Sequence, residues 1–86
     1  MAIAFSRSAE KELSSFSREE KEYIAHAVSL MENENFRELN KIDLCIEENG
    51  CGIWAMTFGP AWVAFHDVEG GDICVDWISI RSRFRQ

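Results

Sequence analysis

The apolar positions of this chain change period halfway along it, from about four in the first forty residues to two thereafter. Ala9, Leu13 and Phe16 recur at helical spacing behind the hydroxyls of Ser6 and Ser8, which can cap the first free N–H groups of a helix. Ser17-Arg18-Glu19-Glu20 reads as a capping box: the Ser17 side chain bonds the Glu20 N–H while the Glu20 carboxylate reaches back to Ser17. It opens a second helix with the apolar stripe Tyr23, Ile24, Ala27, Val28 and Met31, and Glu19 to Glu22 form its solvated first turn. Ile3-Ala4-Phe5, ahead of both helices, reads as a short strand. Asn33, Asn35 and Asn40 mark the connection to the second half.

From Cys45 to Arg85 the chain reads as strand, tight turn, strand, with turn signals at Asn49-Gly50, Gly59-Pro60 and Gly70-Gly71. Two-residue loops there would set Ile46 opposite Ile53, Cys45 opposite Trp54, Phe58 opposite Ala61, Trp54 opposite Phe65, Val63 opposite Ile78 and His66 opposite Val75. Pro60 is awkward as a second loop residue, so a wider turn is allowed for at that point. Alternation then sorts the strands into two faces. Cys45, Trp54, Met56, Phe58, Val63, Phe65, Ile78 and Ile80 form a surface for packing helices. Leu44, Ile53, Ala55, Thr57, Trp62, Ala64, His66, Val75, Trp77, Ser79 and Arg81 form a second face, too aromatic to meet water alone. The expected architecture is α+β: two N-terminal helices packed on one face of a mostly antiparallel sheet, in the order β-α-α-β-β-β-β.

With 86 residues there is room for one domain spanning 1–86, and nearly every large apolar residue must serve one core. The net charge is -6, which argues against broad phosphate-driven binding of nucleic acid. The charge is uneven, however. Eleven of the fifteen acids lie between Glu10 and Glu48, whereas three of the nine basic residues fall in the last six positions. Cys45, Cys51 and Cys74 lack CxxC or His-linked metal spacing, so they are expected to be free thiols acting as small apolar residues in a reducing compartment, with no zinc site. No cofactor is expected. The start of the chain does not read as a secretion signal and no stretch suits a membrane span, so a cytoplasmic protein is expected.

Phe5-Ser6-Arg7-Ser8-Ala9-Glu10-Lys11-Glu12-Leu13, Phe36-Arg37-Glu38-Leu39, Gly52-Ile53-Trp54 leading to Trp62-Val63-Ala64-Phe65, and the closing Arg81-Ser82-Arg83-Phe84 together resemble the RelE/ParE superfamily of toxin–antitoxin toxins. The resemblance runs along nearly the whole chain. It implies an antitoxin that wraps the protein. It further implies cleavage of ribosome-bound mRNA by basic and aromatic residues on the open sheet face, as in RelE-like members, or action on DNA gyrase, as in ParE-like members. Three positions where that pattern carries positive charge are neutral here, in Trp54-Ala55-Met56-Thr57 and at Trp62. Positive charge would stabilise the phosphorane during RNA cleavage, so its loss argues for a second reading: a non-catalytic protein-binding module of the same fold.

Arg81, Arg83 and Arg85 alternate, so on an extended strand they share one face suited to phosphates or to carboxylates of an acidic partner. The alternative is a solvated terminus that offsets the acidic body. With catalysis retained, Arg81 and Arg83 would hold the scissile phosphate and His66 would carry the proton. The plainer reading of His66 is a hydrogen-bonded sheet residue, because no carboxylate partner can be assigned to it from the sequence. Trp62 and Trp77 suit the apolar anchors of a protein partner better than nucleobases. Lys41 and Arg37 are either rim charges of the open face or ordinary surface residues offsetting Glu34 and Glu38.

Overall fold

The computed structural model describes residues 2–33, 35–48 and 51–80, apart from the side chains of Leu39, Glu48 and Cys51. The expected Asn49-Gly50 turn and the Arg81, Arg83 and Arg85 stripe lie outside the described residues. The elements run β1 (Ile3–Phe5), α1 (Arg7–Ser15), α2 (Arg18–Met31), α3 (Phe36–Leu39), β2 (Lys41–Glu48), β3 (Cys51–Phe58), β4 (Ala61–Asp67) and β5 (Ile73–Ile80), with a single 3-10 turn at Glu69–Gly71. This is the α+β arrangement expected, with one added helical turn, α3, in the Asn-rich connection.

Both N-caps form as the sequence predicts. Ser6 accepts from the Ala9 N–H at 3.1 Å and starts α1. Ser17 and Glu20 close the capping box at 3.2 and 2.8 Å and start α2. The α2 stripe buries Ile24, Ala27 and Met31 against Met56, Val63, Phe65 and Ile78 of the sheet, with Ala9 of α1 and Phe36 of α3 completing the core. The rings of Phe36 and Phe65 meet edge-on at 5.7 Å.

The five strands lie in the order β1-β5-β4-β3-β2, parallel between β1 and β5 and antiparallel elsewhere. β1 is only three residues long, so it covers only Ile73 to Val75 and would leave the rest of β5 as an open edge. The start of α1 and its first turns close that edge instead. The Ser6 hydroxyl donates to the Asp76 carbonyl at 2.7 Å, and a Glu12 carboxylate oxygen accepts from the Ile78 N–H at 2.8 Å. The opposite edge, β2, carries Leu44 and Ile46 half-exposed.

The register departs from strict alternation in two places. Phe58 does face Ala61 and Trp54 does face Phe65. The loop between them is the tight two-residue one, not a wider turn: Gly59 takes φ +56 and Pro60 follows with the negative φ its ring imposes, the sign pattern of a type II′ turn. In β2, however, Leu44 rather than Cys45 faces Trp54, because Cys45 is the extra residue of a β-bulge between Leu44 and Ile46. Cys45 is exposed instead of core-facing, and Leu44 shares the helix side with Trp54 instead of the open face. In β5 the turn spans Val68 to Asp72, closed by the Val68 N–H to the Asp72 carbonyl at 3.0 Å, so His66 faces Cys74 and not Val75. Val75 pairs with Phe65 and is wholly buried in the core, off the open face. A second bulge at Asp76 then restores the expected pairing of Val63 with Ile78.

Candidate active site on the open sheet face

The bulge in β5 builds the site. A regular strand would put Asp76 and Trp77 on opposite faces, but the residue inserted between the Phe65–Val75 and Ala64–Trp77 pairs lets both side chains emerge on the helix-free face. Asp76 thereby meets His66, whose Nδ1 lies 2.8 Å from Oδ2 and 3.0 Å from Oδ1. The sequence reading left His66 without a carboxylate; the structure supplies one ten residues on. Nothing in the linear pattern marks a bulge at that position. An Asp between Val75 and Trp77, in an otherwise apolar strand, is the one signal that could have raised the question.

The geometry assigns roles within the pair. A carboxylate on Nδ1 fixes the tautomer in which Nδ1 carries the hydrogen, leaving Nε2 as the basic nitrogen, the arrangement that suits a general base. The Asp76 side chain is 17% exposed and that of His66 36%, so the bond is partly sheltered while the imidazole stays accessible. Cys74 lies beside the pair, directly across from His66. Burial, and secondarily the negative charge of Asp76, pushes its thiol pKa above the ordinary 9.0.

Trp62 and Trp77 stand diagonally across β4 and β5 on the same face, with ring centroids 6.0 Å apart and planes tilted by 34°. Between them and β3 the small side chains of Ala55 and Ala64 are buried although they take no part in the helix-side core. Thr57 lies across from Trp62, and Lys41 across from Thr57, which puts Lys41 at the outer end of the Trp62 row. Asp43 lies likewise in the row of Trp77. Among the described side chains Lys41 is therefore the cation of this face, against the carboxylates of Asp43 and Asp76. The three neutral positions noted in the sequence, Ala55, Thr57 and Trp62, all belong to it.

Arg37 does not. Its guanidinium lies 5.2 Å from the ring centres of Phe36 and of Phe65 on the helix side, and it pairs with Asp67. It caps the core by cation–π contact and is not a rim charge of the open face. The structure thus brings together His66, Trp62, Trp77 and, at the edge, Lys41, adds Asp76 and Cys74, and removes Arg37.

The helix side has a groove of about 430 Å³ whose lining includes Ile3, Phe5, Leu13 and Val28. Its one hydroxyl, on Ser29, donates to the His26 carbonyl at 2.7 Å, and Lys21 and Glu32 add one charge of each sign to an otherwise apolar lining.

Comparison with known proteins yields no matching protein-family model and no matching curated protein sequence. Among solved structures, a chain in the crystal structure of the archaeal RelE–RelB complex from Pyrococcus horikoshii OT3 matches with a TM-score of 0.70 and 14% identity, over 95% of this chain and 96% of that one. So low an identity with so complete an overlap speaks for architecture: the two chains share a fold, the RelE-like α+β sheet with its helices on one side.

Proposed function

We propose that this chain, acting as a single RelE/ParE-like domain over residues 1–86, is the toxin-family component of a type II toxin–antitoxin pair in the cytoplasm, held by an antitoxin and cleaving mRNA on the ribosome. The observation that carries the reading is the His66–Asp76 pair, at 2.8 Å, on the open face of a sheet whose fold is shared with a chain of a RelE–RelB complex. In this reading Nε2 of His66 takes the proton of a ribose 2′-hydroxyl, and the resulting oxyanion attacks the adjacent phosphorus. The P–O bond to the next nucleotide breaks and its oxygen leaves as a 5′-hydroxyl after protonation. Asp76 stabilises the imidazolium formed. Arg81 and Arg83 hold the scissile phosphate, Arg85 and Lys41 extend the positive track, and Trp62 and Trp77 anchor the antitoxin in the unloaded state.

The test is a ribosome-dependent cleavage assay on the purified protein, comparing wild type with His66→Ala and Arg81→Ala. Cleavage reduced by about 100-fold or more in both variants, in the range general acid–base groups contribute, supports the assignment. Cleavage that is equal in all three, or absent from wild type, removes the enzymatic role.

Among the described residues, the shortage of cations on the open face favours one second reading, a non-catalytic protein-binding module of the same fold, gyrase-directed or diverged. It predicts no ribosome-dependent cleavage, yet a stable complex with the product of a neighbouring small gene that is lost in Trp62→Ala and Trp77→Ala. Inhibition of supercoiling by the free protein separates the gyrase-directed form from the diverged one.

A further inference from the structure

The contacts between β4 and β5 place three different metal-ligating side chains at one spot. His66 and Cys74 are a cross-strand pair, and Asp76 follows Cys74 by two residues on the same face. One ligand atom from each, a ring nitrogen, a thiol sulfur and a carboxylate oxygen, can be chosen so that all lie within 4.8 Å of one another. All three residues are half-buried; His66 and Cys74 are held as a ladder pair, and Asp76, the residue of the bulge, has its carbonyl held by the Ser6 hydroxyl.

From this arrangement the geometry points to a transition-metal site, of the zinc or cobalt(II) class, formed by His66, Cys74 and Asp76. Nitrogen, sulfur and oxygen donors in one tetrahedral set are the preference of Zn²⁺, whose bonds of about 2.0–2.3 Å put neighbouring ligand atoms roughly 3.3–3.8 Å apart. The observed cluster brackets that spacing: the His66–Asp76 contact, at 2.8 Å, is tighter by the margin expected of a hydrogen bond that a cation must enter and widen. Three protein ligands leave the fourth position to water or to an oxygen of a bound molecule, the pattern of an open rather than a purely structural site.

The cation displaces the Cys74 thiol proton, which leaves to solvent, and takes lone pairs from an Asp76 oxygen and from His66 Nδ1, whose hydrogen passes through solvent to Nε2, so one proton is released net per ion bound. The raised thiol pKa makes that proton harder to lose in the empty site, and binding correspondingly weaker at low pH. Linear spacing hides the set because His-x7-Cys-x-Asp matches no metal motif; only the wide turn and the bulge bring the three together. The site stands independently of RNA cleavage. If both hold, a loaded ion competes for the imidazole that would act as base.

The reduced, metal-free protein is titrated with Co²⁺ and then Zn²⁺. Expected is a thiolate-to-cobalt charge-transfer absorption saturating at one equivalent and abolished by Zn²⁺. It should be lost in Cys74→Ser, with affinity lowered in His66→Ala and Asp76→Asn by no less than the roughly 10–100-fold that outer partners of metal sites command. Cys45→Ser and Cys51→Ser should bind as wild type. Absence of the band in wild type, its survival in Cys74→Ser, or unchanged affinity in both His66→Ala and Asp76→Asn overturns the site. Far-UV circular dichroism checks the fold of each variant. Should one unfold, the wild type decides: Co²⁺ should broaden the ring-proton signals of His66 and leave those of His26 sharp, and the reverse pattern refutes the assignment.

Discussion

Replacing Glu12 by Ala tests whether α1 seals the edge of β5. In the native protein a Glu12 oxygen accepts from the Ile78 N–H at 2.8 Å, and Ile78 is 1% exposed, so water is poorly placed to take over. A sheltered N–H left without its partner costs about 1–3 kcal/mol, and the lost bond is one to a charged group. Taking about 2 kcal/mol, and the roughly 4–8 °C per kcal/mol of a domain this size, Glu12→Ala should melt about 10 °C below wild type. Glu12→Gln keeps an acceptor oxygen and loses only the charge, so it should cost less than about half as much. Lys11→Ala, exposed on the same helix, should fall within about 0.5 kcal/mol of wild type. Thermal and urea unfolding followed by circular dichroism give the global values. Hydrogen exchange of the Ile78 amide gives the local one, expected to speed up by about 30-fold in Glu12→Ala, the equivalent of about 2 kcal/mol. A Glu12→Ala melt coincident with wild type, with Ile78 exchange unchanged, would refute the claim that this carboxylate closes the edge.

Gly59→Ala combines a positive φ with a Cβ that collides with the Tyr23 hydroxyl, so it should destabilise by about 2 kcal/mol in urea melts, and adding Tyr23→Phe should recover part of the loss. Phe65→Ala removes a wholly buried ring that contacts Phe36 and the Arg37 guanidinium, and should cost about 3–5 kcal/mol by the same measurement. Iodoacetamide at pH 8 should modify exposed Cys45 well before Cys74, whose thiol is raised by burial and by Asp76; mass mapping of the adducts checks the order. The sign for stability follows from the same shift. Below the unfolded value of 9.0 the thiol is neutral in both states and contributes nothing; as pH rises beyond 9.0 the unfolded chain loses the proton first and the fold weakens, a slope that Cys74→Ala should remove.

The helices were legible because their signals are local. A capping box four residues long and a stripe at i, i+3 and i+4 carry their meaning wherever the chain goes, and Ser17, Ile24, Ala27 and Met31 all sit where the pattern puts them. The β3–β4 hairpin was legible for the same reason, since its loop has two residues and both strands are regular. The bulges at Cys45 and Asp76 were not. A bulge adds a residue without changing composition, and it flips every assignment on one side of it, which is why Val75, Leu44 and Cys45 fell on the wrong faces and the Asp76 partner of His66 went unseen. The choice between the two readings of Arg37 was not legible because its anchor, Phe65, lies twenty-eight positions away in sequence and meets it only through the added turn of α3.

The partnership of β1 with β5 has a consequence for how the molecule comes into being. Ile3 rests against Ile73, and Ser6 clasps the carbonyl of Asp76 across 70 positions, so in a growing polypeptide the earlier segment must wait for the later one before either is anchored. At about 5–20 residues per second of synthesis, that interval lasts on the order of 4–14 seconds. The kink that aims Asp76 at His66 gains its clasp only after that interval, and any chemistry relying on that aim is withheld from the nascent protein until the two segments meet.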